Sequence, residues 1–237
     1  MIKYKYPILL IALYINFLLL TVSLANRFFE IAGMTEPGGI LVFPLAFIIL
    51  DIVAEVYGYA YSRLFIWIGA ASEIIFSLVA VFITHLPSPE YFSLTNEYQL
   101  VFDPTIRFVA STLIATIIGE FTNIYFLSKW KLKFQGRSFI LRAFCATGLG
   151  QLILSIIVDF LAFSGKMTMK ELIVLILCGY LWKMISLVIF LFPSFLIINK
   201  LKEIDKVDNY DVNVNFNPFR TFLDDGINKF KPAEAAI

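Results

Sequence analysis

Six predominantly apolar stretches, each about long enough to cross the hydrocarbon core of a bilayer, dominate this chain of 237 residues. They run Pro7–Ala25, Gly39–Gly58, Leu64–Thr84, Ile106–Ser128, Phe139–Phe163 and Leu172–Ile198. With 59% hydrophobic and 16% charged residues, the chain has more apolar surface than an aqueous fold can bury; soluble domains average about 45–50% and about 25%. Backbone polar groups in lipid must be satisfied within the protein, and a helix does this locally. The sequence therefore predicts an all-α integral membrane protein. Residues 1–200 form a compact bundle of six transmembrane helices, and residues 201–237 form a polar cytoplasmic tail.

The basic residues set the orientation. With both termini, the Tyr59–Arg63 turn and the Lys129–Arg142 region on one side, only Arg27, Arg107, Lys166 and Lys170 fall on the other. Lys183 lies within a span, which leaves fourteen of the nineteen Lys and Arg on the first side. Positive-inside bias makes that side cytoplasmic, and two cytoplasmic termini agree with an even number of spans. Lys3, Lys5 and the Ser23-Leu-Ala25 stretch resemble a cleavable signal peptide. The apolar run is longer than a usual signal core, however, and a retained first helix is expected.

Ionisable groups inside the spans are the chemically informative residues. Asp51, Glu55, Glu73, Glu120 and Asp159 fall there, with Asn123, Gln151, Ser155 and Lys183. Such groups tend to face a bundle interior or a water-filled cavity, because exposure to hydrocarbon is costly. Asp51 and Glu55 are four residues apart and share a helix face, so a ligand site is expected there. Lys183 can neutralise only one carboxylate and reads as a counter-charge in the same cavity. Glu73 belongs to no cluster and reads equally as a structural pair. Glu120 and Asn123 are also compatible with a hydrogen-bonded helix interface, and Asp159 with a group reaching interfacial water. Gly148 and Gly150 suit close helix approach.

Other chemistries find little support. Cys145, Cys178 and the lone His85 are too few and too scattered for a zinc site, and no cofactor is called for. There is no basic stripe with interleaved aromatics, so direct nucleic-acid binding is not expected. No phosphate-binding glycine motif occurs, so ATP-driven transport would need a separate coupling subunit. An Asp–Glu pair on one helix, without an intramembrane His, is poor material for a protease, so an enzyme is not expected. A homodimer is compatible with such a chain.

The stretch Pro37-Gly-Gly-Ile-Leu-Val-Phe-Pro-Leu-Ala-Phe-Ile-Ile-Leu-Asp-Ile-Val-Ala-Glu-Val-Tyr-Gly58 resembles the queuosine-precursor transporter family, also described as a vitamin-uptake family. Asn26, the Arg142–Gln151 stretch, Lys183 followed by Pro193, and the tail elements Glu203-Ile-Asp205, Tyr210-Asp211 and Asn215–Phe219 extend the likeness over almost the whole chain. Two departures stand out. Leu50 replaces a usual Thr, and Leu154 occupies a usually acidic position. Asp159 lies about 140° around a helix from Leu154 and is not expected to replace it.

The resemblance implies import of 7-cyano- or 7-aminomethyl-7-deazaguanine, or a related planar base, across a bacterial inner membrane for tRNA queuosine salvage. Asp51, Glu55 and Glu120 would supply carboxylates for the base's paired N–H donors. Lys183, Asn123 or Gln151 would donate to its carbonyl, and Phe43 or Tyr57 would stack on its ring. The topology can be checked directly. A reporter fused after Lys200 should read cytoplasmic, and one inserted near Ser93 should read external. The reverse pattern would invert the assignment, and an external C-terminal reporter would break the even span count.

Overall fold

The computed structural model of the protein describes residues 6–31 and 33–220. Lys3, Lys5, Lys229, Lys231 and the tail beyond Arg220 lie outside the described residues. The chain forms α1 (Tyr6–Leu24), a hairpin of β1 (Phe28–Ile31) and β2 (Met34–Pro37), a 3₁₀ turn over Gly38–Leu41, α2 (Phe43–Tyr57), α3 (Tyr59–Thr84), α4 (Thr95–Lys133), α5 (Phe139–Phe163) and α6 (Met169–Asp205). Five of the six helices are long and apolar enough to cross a membrane.

The exception is α2. Its 15 residues span about 22 Å, short of the hydrocarbon thickness; the preceding 3₁₀ turn brings the pair to about 30 Å. Every side chain of α2 is buried except Leu45 and Ile48. It is the central element, packed by α1, α3, α4, α5 and α6. Apart from Asp51 and Glu55 its sequence is apolar all round, which suits a helix surrounded on all sides.

Three boundaries differ from the sequence reading. A loop is expected up to Pro104, yet α4 begins at Thr95 and carries Pro104 inside it. Tertiary docking offsets the missing amide: Gln99 donates to the Thr84 carbonyl at the end of α3, and Phe102 packs against Phe76. At the other end, α6 continues past Lys200 to Asp205. Between α2 and α3 a single residue, Gly58, breaks the helix at φ +89°, a conformation that side chains rarely adopt.

That break is held by the C-terminal segment. Asn209 donates its backbone N–H to the Val56 carbonyl at 3.1 Å and its side-chain amide to the Tyr57 carbonyl at 3.0 Å. Asp211 accepts the Tyr59 N–H at 3.0 Å and the Ser128 hydroxyl at 2.5 Å. Helix ends leave backbone groups without partners; here an irregular strap supplies them. Further along, Tyr59 and Trp67 donate to the Phe216 and Pro218 carbonyls. The segment after α6 is not helical, and its backbone pairs with other helices instead. Asp211→Ala strands these buried donors and should cost about 2–4 kcal/mol, read as a lowered thermal midpoint in detergent. An unchanged midpoint would show that the strap does not hold the break.

Candidate functional site

The two carboxylates of α2 share a face and lie one turn apart, but the bundle gives them different partners. Asp51, 2% exposed, accepts from the Asn123 amide at 2.8 Å and the Thr147 hydroxyl at 2.6 Å. Asn123 comes from α4 and Thr147 from α5, and both reach Asp51 because those helices cross closely. A Cβ added to Gly150 would lie 2.8 Å from the Gly119 carbonyl oxygen, so the small residues permit the crossing.

Glu55 lies in an ion-pair node at the end of the bundle carrying the strap. Arg142 of α5 grips it with both terminal nitrogens, at 3.1 and 3.2 Å, and Lys202 of α6 reaches Oε1 at 3.1 Å. Lys131 of α4 donates to the Glu55 backbone carbonyl at 2.5 Å and to Asp208 at 2.6 Å. Lys202 also pairs with Asp208 at 2.9 Å. Burial pushes the Asp208 carboxyl up, but the Lys131 and Lys202 ammonium groups outweigh this and hold it below its ordinary range. Arg142, Lys131 and Lys202 belong to the basic set that sets the orientation, and Arg142 also opens the Arg142–Gln151 stretch of the family likeness. Tyr57 is also at this end, donating to Asp205 at 2.6 Å. Glu55 and Tyr57 therefore sit apart from the cavity that the sequence reading shares among the candidate residues.

At the hairpin end a cavity opens among the six helices, the 3₁₀ turn and β2. Phe43 and Lys183 line it, together with Glu36 of β2, Glu73 of α3, and Leu154 and Asp159 of α5. The Lys183 ammonium is 5.5 Å from the centroid of the Phe43 ring and donates to the Ser155 hydroxyl at 2.7 Å. It makes no ion pair among the described residues. A smaller neighbouring cavity also touches Lys183 and is lined by Gln151 and Thr147. Lys183 thus links the main cavity to the residue that bonds Asp51. Two buried oxygens, Glu36 Oε1 and Gln151 Oε1, have no hydrogen-bond partner among the described residues.

Glu120 and Asn123, one helical step apart, point to different partners: Asn123 donates to Asp51, while Glu120 accepts from Tyr14 of α1 at 3.3 Å. Asp159, 8% exposed, is buried rather than interfacial. Leu154 and Asp159 line the same cavity despite their angular separation, because α5 is wedged between α4 and α6 and presents a broad face inward. Glu36, read as part of a connection, is the residue least visible in the sequence; its place beside Pro37-Gly-Gly39 is the only hint. Thr147 has no charge or spacing to mark it.

The chain-internal partners of Asp51 and Glu55 predict opposite responses to amide substitution. Asp51→Asn can keep both neighbours by reversing the Thr147 hydroxyl, so the bundle should stay within about 1 kcal/mol of the parent, and lost uptake would report the charge. Glu55→Gln leaves Arg142, Lys131 and Lys202 short of negative charge in a buried node, and should destabilise by about 3–5 kcal/mol. Thermal unfolding of the two variants in detergent, alongside their uptake rates, separates the roles. Equal stability would remove the distinction.

A family model described as "Putative vitamin uptake transporter" matches residues 37–198. No curated protein and no solved structure matches the chain. The matched region runs from the last residue of β2 through α2–α5 and most of α6, and it contains Asp51, Glu55, Lys183 and most of the cavity wall. The protein belongs to this family of vitamin uptake transporters and is a multi-pass membrane protein.

Proposed function

We propose that the protein imports a 7-deazaguanine precursor of queuosine, 7-cyano- or 7-aminomethyl-7-deazaguanine, across the bacterial inner membrane. The observation that carries this reading is a buried ammonium set against carboxylates without pairing to them. Lys183 shares its cavity with Glu36, Glu73 and Asp159, yet its hydrogen bond goes to neutral Ser155. Buried charges left unpaired are costly, and a solute that carries both donors and an acceptor can complete such a set.

A deazaguanine fits this description. Its ring N–H and exocyclic amino group are adjacent donors for a carboxylate, and its carbonyl accepts from an ammonium. Phe43 offers a ring face beside Lys183, suited to stacking on a planar base. On this reading the hairpin end faces outward and the Glu55 node faces the cytoplasm. The Asp51–Asn123–Thr147 cluster lies between them, on the path the solute takes.

The deciding experiment is uptake of a labelled deazaguanine by a salvage-dependent cell expressing this chain alone. Uptake without any coupling subunit would also exclude a dependence on an ATP-driven partner. Lys183→Met should lower uptake at least about tenfold in protein that still reaches the membrane, the scale of a lost charge-assisted hydrogen bond. Lys183→Arg should also impair it, because a planar head fits the same space poorly. Parental transport by Lys183→Met would make Lys183 structural and displace the proposed site.

A further inference from the structure

The structure assigns the hairpin carboxylate Glu36 a direct role in the solute site: it accepts the two adjacent N–H donors of a 2-amino-4-oxopyrimidine ring. This rests on the import reading above and names the residue that selects the base.

Glu36 differs from its neighbours in the hairpin. Phe29 and Glu30 of β1 and Thr35 of β2 keep access to the surface, while Glu36 is 1% exposed and lines the cavity. Its Oε1 is fully enclosed and has no hydrogen-bond partner among the described residues. An enclosed carboxylate oxygen without a donor is expensive. Lys183 does not donate to it: that ammonium makes no ion pair among the described residues and its hydrogen bond goes to Ser155. Asp51 is the contrasting case: both of its oxygens are already occupied by Asn123 and Thr147. Of the two enclosed oxygens without a partner among the described residues, Glu36 Oε1 and Gln151 Oε1, that of Glu36 belongs to a residue lining the main cavity.

The placement is rigid. Gly38 donates its N–H to the Arg27 carbonyl at 2.7 Å, closing the hairpin onto the end of α1. Glu36 pairs in register with Phe29 across the hairpin. On the other side, α6 makes room with Gly179: a Cβ there would come within 3.2 Å of Glu36 Oε2. A carboxylate fixed by backbone pairing in the wall of a cavity is preorganised for a planar pair of N–H donors. A ligand lacking one of the two would leave an oxygen unpaired, which is the strongest route to selectivity between similar solutes.

Competition against uptake of labelled 7-cyano-7-deazaguanine tests this. The competitors are 7-deazaguanine, which carries both donors, and 7-deazahypoxanthine, which lacks the exocyclic amino group. The parental protein should favour 7-deazaguanine by about tenfold or more. Glu36→Gln, checked for membrane level, should bring the two competitors towards parity. Gly179→Ala keeps the carboxylate but crowds it, and should weaken uptake of the label and narrow the same ratio. Equal inhibition by both competitors in the parental protein overturns the assignment without recourse to any variant. So does full discrimination retained by Glu36→Gln. If the parental protein takes up no label at all, the import reading falls; uptake without discrimination removes only Glu36.

Discussion

The bidentate pairing of Glu55 with Arg142 is the interaction on which the arrangement of this bundle depends. Both groups are about 1% exposed, so each would be prohibitively costly without the other. Around that pair, Lys131, Lys202 and Asp208 extend the node. It joins the short central helix α2 to α4, α5, α6 and the C-terminal segment. Apolar packing between helices in lipid has no strong preference for one rotation or depth. Charges that must meet at 3 Å have such a preference, and α2 is placed by them.

Fixing the lower half of α2 fixes its upper half. Asp51 is one turn from Glu55, and the Asn123 and Thr147 bonds set the rotation of α4 and α5 around it. Phe43, at the first turn of α2, then lies beneath the Lys183 ammonium. The cavity is thus built by helix placement rather than by a flexible loop. The hairpin closes its remaining side, held to the end of α1 through Gly38 and Arg27.

The two ends of the bundle treat charge in opposite ways. At the strap end, every member of the node has at least two polar partners and the irregular segment after α6 satisfies the helix ends. At the hairpin end, an ammonium and three carboxylates line one cavity without pairing. A saturated set of charges resists rearrangement, because breaking a buried pair leaves an uncompensated charge. The two ends of this vitamin uptake transporter thus differ in how far their buried charges are paired.

Hydropathy determined the membrane class, the six helical segments and the bounds of α5, because those follow from composition and local backbone satisfaction. The intramembrane position of Asp51 and Lys183 was also legible, since charged residues stand out against apolar surroundings. Helical spacing put Asp51 and Glu55 on one face, and they share it. What each touches depended on the neighbouring helices, and spacing within α2 carries no information about those. Arg142 and Lys202, counted among the orientation charges, became the partners of Glu55. Glu36 lies outside any apolar run, and only the fold of the hairpin onto α1 and α6 turns it into the cavity. Leu154 and Asp159 diverge on a helical wheel yet meet the same space, because α5 is covered on two sides. Tertiary packing decided these points, through which elements lie beside one another at a given depth.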